Sequence, residues 1–303
     1  MKKVFEGDTL GYQLRFEPIQ ASFGARVSGV GLASISDREF KIFYEAWLEY
    51  GLLICEGQNL NSNDQVKFAK KFGELEFELA SLSNVLEDGE LRPDDGTDDV
   101  MNILYGNMDW HHDSTYMPVQ AKGAVFTAEI VPSEGGATGF ADMRAAYDAL
   151  DDRMRQKLEG LKAHHSLHYS QNKLGFSSQS LNGSGIDKKS DLDGYGFHEG
   201  PVSIRPLVKE HPETGRKNLI IGRHAYDIIG FSEKESEELL NWLRDFACQP
   251  PRIYHHQWQA GDAVVWDNRR LMHQATAWPT TQPRKMWHSR MAGDPKTEAA
   301  LSD

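Results

Sequence analysis

From residue 101 onward the chain is a succession of short apolar runs separated by turn chemistry, and this pattern most narrows its fold. "MNILYG", "KGAVFTAEIV", "VSIRPLVK", "NLIIG", "RIYHHQWQ", "DAVVWDN" and "KMWHSRM" each have strand length, and most are rich in β-branched or aromatic residues. "PETGRKN" and "QAGD" carry the Gly, Pro and Asp that close hairpins. Two amphipathic patterns interrupt the series. One is "DMRAAYDALDDRMRQKLEGL"; the other is "SEKESEELLNWLRDFACQ", which opens with a Ser232/Glu235 capping box. The pattern predicts a mainly β chain, a sandwich or barrel with flanking helices.

The N-terminal third is more helical. In "ISDREFKIFYEAWLEYG", Ser36 and Glu39 form a capping box, Phe40, Phe43, Tyr44 and Trp47 recur at helical spacing, and Gly51 closes the helix. The strand "LLIC" follows, then a second helix in "NSNDQVKFAKKFG" with Ser62 or Asn63 as cap and Gly73 as stop. No repeat or linker divides the 303 residues, so 1–303 reads as a single domain. Two segments stand out within it. Residues 86–99 form a loop with seven acids, a candidate lid that lacks the ligand spacing of a calcium loop. An insertion around 144–200 ends in a polar Gly/Ser-rich stretch at 171–200.

Composition limits the partners. Net charge is −12, from 45 acids against 33 bases, which argues against nucleic acid as the main partner. No apolar run is long enough to span a membrane. "MKKVFEGDTLGYQ" has no apolar segment behind its lysines, so no signal peptide is expected. Cys55 and Cys248 suit a reduced, cytoplasmic protein better than a disulfide framework. An acidic protein binds a small anion only through a few local cations, so single arginines near a candidate site carry weight.

The chemistry is concentrated in "GNMDWHHDSTYMP". His111 and Asp113 are two residues apart, and on a strand that spacing aims both at one face. The same alternation turns His112 away. Such a pair is common by chance, and His211 and Glu213 repeat it, but "HPETGR" is a turn, which assigns that pair to the surface. A third ligand is available at His273 in "VVWDNRRLMHQA". Two imidazoles and one carboxylate on one face of an octahedron favour iron(II) over zinc and leave three positions open.

"WHHDSTY" and "DNRRLMHQA…PRKMWHSR" resemble the TauD/TfdA family of iron(II)- and 2-oxoglutarate-dependent dioxygenases. The likeness covers nearly the whole chain, with "GARVSGVGL", "FAKKFGELE", "GGATGFADM" and "HPETGRKNLIIG" in family order and 162 residues between His111 and His273. It implies a double-stranded β-helix (jelly-roll) core, with Fe(II), 2-oxoglutarate and O2 as cofactor and co-substrates. It also implies that His111, Asp113 and His273 hold the metal, and that Thr138 and Arg284 hold the distal carboxylate of 2-oxoglutarate. No further catalytic residue is expected. A guanidinium fork with a hydroxyl donor suits a buried carboxylate.

One departure is informative. Many members carry a substrate-clamping arginine four residues after the co-substrate arginine, and here that position is His288. Arg290 shares its strand face, so Arg290, Arg223 and Lys173 become candidates for a shifted anion clamp. Asn107 matches a substrate-side position. "NMDWHHDSTYMPV", "FADMRAAYDALD" and "RPLVKEHPETGR" resemble members that act on aryloxypropionates, and this resemblance implies a small anionic aryloxyalkanoate as substrate. Tyr105, Trp110, Tyr116 and Trp287 would suit its ring. A sulfonate, a purine or a natural-product intermediate would use the same chemistry. A non-catalytic cupin-like metal binder and a zinc hydrolase are the readings outside this class. The resemblance also leaves room for a homo-oligomer.

Overall fold

The computed structural model describes residues 14–176 and 200–302. Residues 1–13, which hold the segment examined for a signal peptide, and 177–199 of the polar stretch lie outside the described residues.

A seven-stranded sheet carries the fold, in the order β1 (Arg15–Pro18), β2 (Ala25–Ser28), β3 (Leu52–Cys55), β13 (Ala263–Asp267), β5 (Gly123–Ile130), β15 (Lys285–Met291) and β4 (Leu75–Ser83). All its pairings are antiparallel except β2 with β3. A second sheet places β6 (Thr138–Asp142) between β12 (Ile253–His256) and β14 (Leu271–Ala275). A third joins β11 (Ala225–Ile228), β7 (Lys162–His165) and β8 (Ser203–Pro206), and β9 (Val208–Glu210) pairs with β10 (Lys217–Leu219).

Period-two alternation sorts the large sheet's side chains into two cores. Leu52, Ile54, Phe126, Val264, Trp266 and Met286 face Phe140 and Leu271 of the second sheet. Leu53, Cys55, Val125, Ala263 and Val265 face the other way, onto the helices α1 (Asp37–Tyr50) and α2 (Ser62–Lys70). Each buried Leu, Ile, Val, Phe or Met side chain among them contributes about 1.5–3 kcal/mol. The capping box of α1 forms as expected, and Gly51 ends the helix at φ 76.

Several elements differ from the sequence expectation. "MNILYG" lies in a helix, α3 (Asp99–Gly106), because Asp98 caps it and Val100, Met101, Ile103 and Leu104 bury against the core. Asn61, one residue earlier than expected, caps α2. The long amphipathic segment divides into α4 (Met143–Ala149) and α5 (Asp152–Leu158), because Asp151 caps a new helix. Residues 171–173 finish α6 (Leu167–Lys173), with Gln171 buried. The helix opened by the Ser232/Glu235 capping box is α7 (Glu233–Ala247). No helix among the described residues is long and apolar enough to cross a membrane.

Candidate metal and co-substrate site

The first two expected ligands are placed by a turn rather than by a strand. After α3 the chain makes a single antiparallel bridge, His111 to His273, and then turns at Asp113–Met117. Ser114 takes the left-handed region at φ 56. The shared direction of His111 and Asp113 therefore does not come from strand alternation. Asn268 fixes the backbone instead: its Oδ1 accepts from Asp113 N at 2.7 Å and its Nδ2 donates to Asp113 O at 2.9 Å. His112 turns away and donates from Nδ1 to the Asn268 carbonyl at 2.7 Å.

His111, Asp113 and His273 each offer one ligand atom, all within 4.8 Å of one another, and all three residues are buried. The His111 ring donates from Nδ1 to Asp109 O at 2.7 Å, which leaves Nε2 as the ligand nitrogen. Asp113 Oδ2 is buried without a hydrogen-bond partner and lies 3.7 Å from His273 Nε2. An orphaned carboxylate oxygen beside two imidazoles fits a divalent cation of the iron(II) type.

Electrostatics keep the set ready to bind. Burial pushes the Asp113 carboxyl up, but Arg290 and the neighbouring histidines outweigh it and hold the group below the usual carboxylate range. Burial pushes His111 down and His273 well down. The donor set is an ionised carboxylate with two neutral imidazoles, as metal ligation requires.

Thr138, Arg284 and His288 line one cavity together with Asn107 and this trio. Arg284 is 3% exposed; its Nε donates to Gly136 O at 3.2 Å and its guanidinium lies over the Trp278 ring at 5.1 Å. Thr138 Oγ1 accepts from Trp258 Nε1 at 2.9 Å, so its own proton is left to donate. A cation and a hydroxyl on one wall, with three metal-type ligands on another, suit a bidentate acid with a second carboxylate. His288 is buried, neither ring nitrogen has a hydrogen-bond partner, and burial pushes it down to about 3. It is therefore a neutral polar group and cannot replace a cation.

A second cavity shares Asn107, His111 and Asp113 and adds Tyr116, Leu167, Gln171, Arg223 and His224. Arg223 donates to Gln171 Oε1 and packs against Gly106, where a Cβ would meet its guanidinium. The widest cavity among these, about 720 Å³, also contains Arg223 but none of the trio.

Arg290 lines neither cavity around the trio; it bonds Asp113, Ser114 and Glu76 and is not placed as an anion clamp. Lys173 pairs with Glu237 at 2.7 Å and lines the widest cavity together with Arg223. His211 is buried, not superficial: its Nε2 donates to Asp267 Oδ2 at 2.9 Å, because the turn folds onto β13. Of the four aromatic candidates, none lines the cavity that holds all three ligands, and Tyr116 lines the second one beside His111 and Asp113. Trp287 borders a separate cleft and bonds Glu129. The acidic loop is tied down, with Asp94 bonded to Tyr105 and to Thr280 Oγ1.

Sequence reasoning missed two organising asparagines, Asn268 and Asn84. Asn84 accepts from Arg284 N at 2.7 Å and donates to the carbonyls of Thr280 and Gln282 at 3.0 and 2.9 Å, which shapes the loop leading into Arg284. Their partners lie far away in sequence; Asn268 stands within "DNRRLMHQA", but nothing local marks its bond to Asp113.

Comparison with known proteins agrees with this geometry. Residues 15–291 match the family described as taurine catabolism dioxygenase TauD, TfdA family. A (S)-phenoxypropionate/alpha-ketoglutarate-dioxygenase of Sphingobium herbicidovorans is 60% identical over 285 residues, covering 94% of this chain and 97% of the relative. Its counterpart from Delftia acidovorans is 50% identical over 293 residues, covering 95% and 98%. The crystal structure of AAD-2 in complex with Mn(II) and N-oxalylglycine superposes with a TM-score of 0.84 at 34% identity, covering 96% of this chain and all of that one.

Proposed function

The chain belongs to the TauD, TfdA family, and from that premise we propose how its residues divide the work of an Fe(II)- and 2-oxoglutarate-dependent dioxygenase acting on an aryloxyalkanoate. His111, Asp113 and His273 hold the iron. Arg284 and Thr138 hold the distal carboxylate of 2-oxoglutarate. The observation that carries this reading is that all five residues line one cavity. Iron with 2-oxoglutarate and oxygen supplies the oxidant for a C–H bond, with release of succinate and CO2.

The chain's own part is to orient and to exclude water. Arg284 fixes the co-substrate's far end, so its keto-acid end points at the three ligands. Substrate enters from the second cavity, where Arg223, oriented by Gln171, meets its carboxylate, and Asn107 and Tyr116 border it. The names of the relatives at 60% and 50% identity support an aryloxypropionate as substrate. Hydroxylation of the carbon bearing the ether oxygen gives a hemiketal, which collapses to a phenol and a 2-keto acid. The large sheet and the β12–β6–β14 sheet share one core, which supports the double-stranded β-helix of this family and a single catalytic domain. Two unpaired cysteines support a cytoplasmic location.

The test is succinate release by anaerobically iron-loaded protein given 2-oxoglutarate and oxygen, with (R)- and (S)-aryloxypropionates, sulfonates and purines in parallel. Phenol formed in step with succinate from one aryloxypropionate is the expected result. Coupled turnover of a sulfonate or a purine alone would overturn the substrate assignment.

A further inference from the structure

Arg290 sits on β15 beside a register irregularity that follows His288, is 1% exposed, and turns its guanidinium under Asp113. Its Nη2 donates to Asp113 Oδ1 at 3.0 Å, and its Nη1 lies 3.2 Å from Ser114 Oγ and 3.5 Å from Glu76 Oε1. The Ser114 hydroxyl is 2.9 Å from both Glu76 oxygens. Ser114 holds the left-handed conformation at φ 56, a region that non-glycine residues adopt only when their surroundings enforce it. The network thus grips both the side chain of Asp113 and the strained residue after it.

We propose that Arg290 is a positioning residue for the metal-ligand carboxylate, with Glu76 and Ser114 holding Arg290 in place. The proposal rests on the reading that His111, Asp113 and His273 bind iron. Arg290 holds Oδ1, while Oδ2 lies 3.7 Å from Nε2 of both His273 and His288 and has no hydrogen-bond partner. This matters for coordination. An octahedral ion with three protein donor atoms keeps three open positions, enough for a chelating 2-oxo acid and oxygen. A carboxylate free to rotate could bind through both oxygens and take one of those positions. The arginine that the sequence suggested as a substrate clamp therefore acts on the metal side.

Metal binding tests this directly. The apo protein is titrated anaerobically with Co(II), and affinity and the visible absorption of the bound ion are read together. Arg290→Met is expected to weaken Co(II) binding about 10–100-fold, as loss of a partner that orients a metal ligand does, and to change the absorption spectrum. Arg290→Lys, which keeps a charge but not the fork, is expected to recover part of the affinity. A folded Arg290→Met protein with wild-type affinity and spectrum would overturn the proposal. If that variant does not fold, Glu76→Gln decides: weaker binding with a shifted spectrum supports the network, and unchanged binding refutes it. Failure of the wild-type protein to bind Co(II) would instead refute the metal reading on which the proposal rests.

Discussion

The amide of His111 donates to the carbonyl of His273 at 3.0 Å, and the amide of His273 returns the bond to the carbonyl of His111 at 2.8 Å. This reciprocal bridge joins residues 162 positions apart and sets their rings 4.2 Å apart, centroid to centroid. The backbone bridge brings two of the three proposed ligand residues together, and the bond from His111 Nδ1 to Asp109 O orients one ring.

His111→Ala keeps both backbone bonds, so the apo variant is expected to melt close to the wild type while losing metal binding and turnover. Thermal unfolding and metal titration of the same sample check this. A variant that unfolds would show that the imidazole, not the bridge, holds the two segments together.

Arg284→Met removes the charge-assisted donor on the co-substrate wall. Such bonds contribute about 1.5–3 kcal/mol, or roughly 10–150-fold in affinity. The KM for 2-oxoglutarate is expected to rise by that factor while the KM for substrate changes little. Gly136→Ala should move the same constant in the same direction. Gly136 has φ 65, and a Cβ there would lie 3.2 Å from Arg284 Nε and 2.9 Å from Pro132 Cγ. Its left-handed backbone would also lower stability by about 1–2 kcal/mol. Saturation curves with 2-oxoglutarate and with substrate separate the two constants.

Asn268→Ala leaves the buried amide and carbonyl of Asp113 without their side-chain partner. Each unsatisfied group costs about 1–3 kcal/mol, so denaturant unfolding should detect the loss. Metal affinity should fall as well, since the turn that presents Asp113 loses its anchor. Unchanged metal affinity would assign Asn268 to folding alone.

Asp142 accepts from Arg270 Nε at 3.0 Å and Nη2 at 2.7 Å, and it caps α4 through Arg144 N and Ala145 N. Both charges are buried. Asp142→Ala strands the guanidinium and is expected to destabilise the protein by about 3–5 kcal/mol in urea unfolding. A change under 1 kcal/mol, on the order of a surface pair, would contradict that account.

Stability should also fall with acid. Burial lowers His112 to about 4 and His288 to about 3 in the folded state, against about 6.5 when unfolded. Between those limits the unfolded chain binds more protons, so stability is complete above about pH 6.5 and is lost as pH falls towards the folded values. Each group contributes a slope of about 1.4 kcal/mol per pH unit in its window. The melting temperature of the apo protein should therefore drop steadily from pH 7 to pH 5. A flat profile would mean that these imidazoles are not buried and neutral.

What the sequence revealed depended on how local the signal was. The capping boxes of Ser36 and Ser232 lie within four residues and are legible in the sequence, as is the grouping of His111, Asp113 and His273. Strand alternation does not bring His111 and Asp113 together, because Ser114 and Asn268 make a turn there. "MNILYG" is short and apolar, and such a run fits a buried strand or a helix equally until Asp98 is seen to cap it. Glu76 closes the run "FAKKFGELE", but nothing local marks its contacts with Ser114 and Arg290. Asn84 is 200 positions from Arg284, a separation that no single-sequence pattern spans.

The two cavities that meet at Asn107, His111 and Asp113 each carry a different arginine, Arg284 in one and Arg223 in the other. No guanidinium lines both. Under the proposed division of roles, co-substrate and substrate have separate addresses for their negative charge. Neither should displace the other when supplied in excess, and saturating 2-oxoglutarate should leave the substrate's apparent affinity intact.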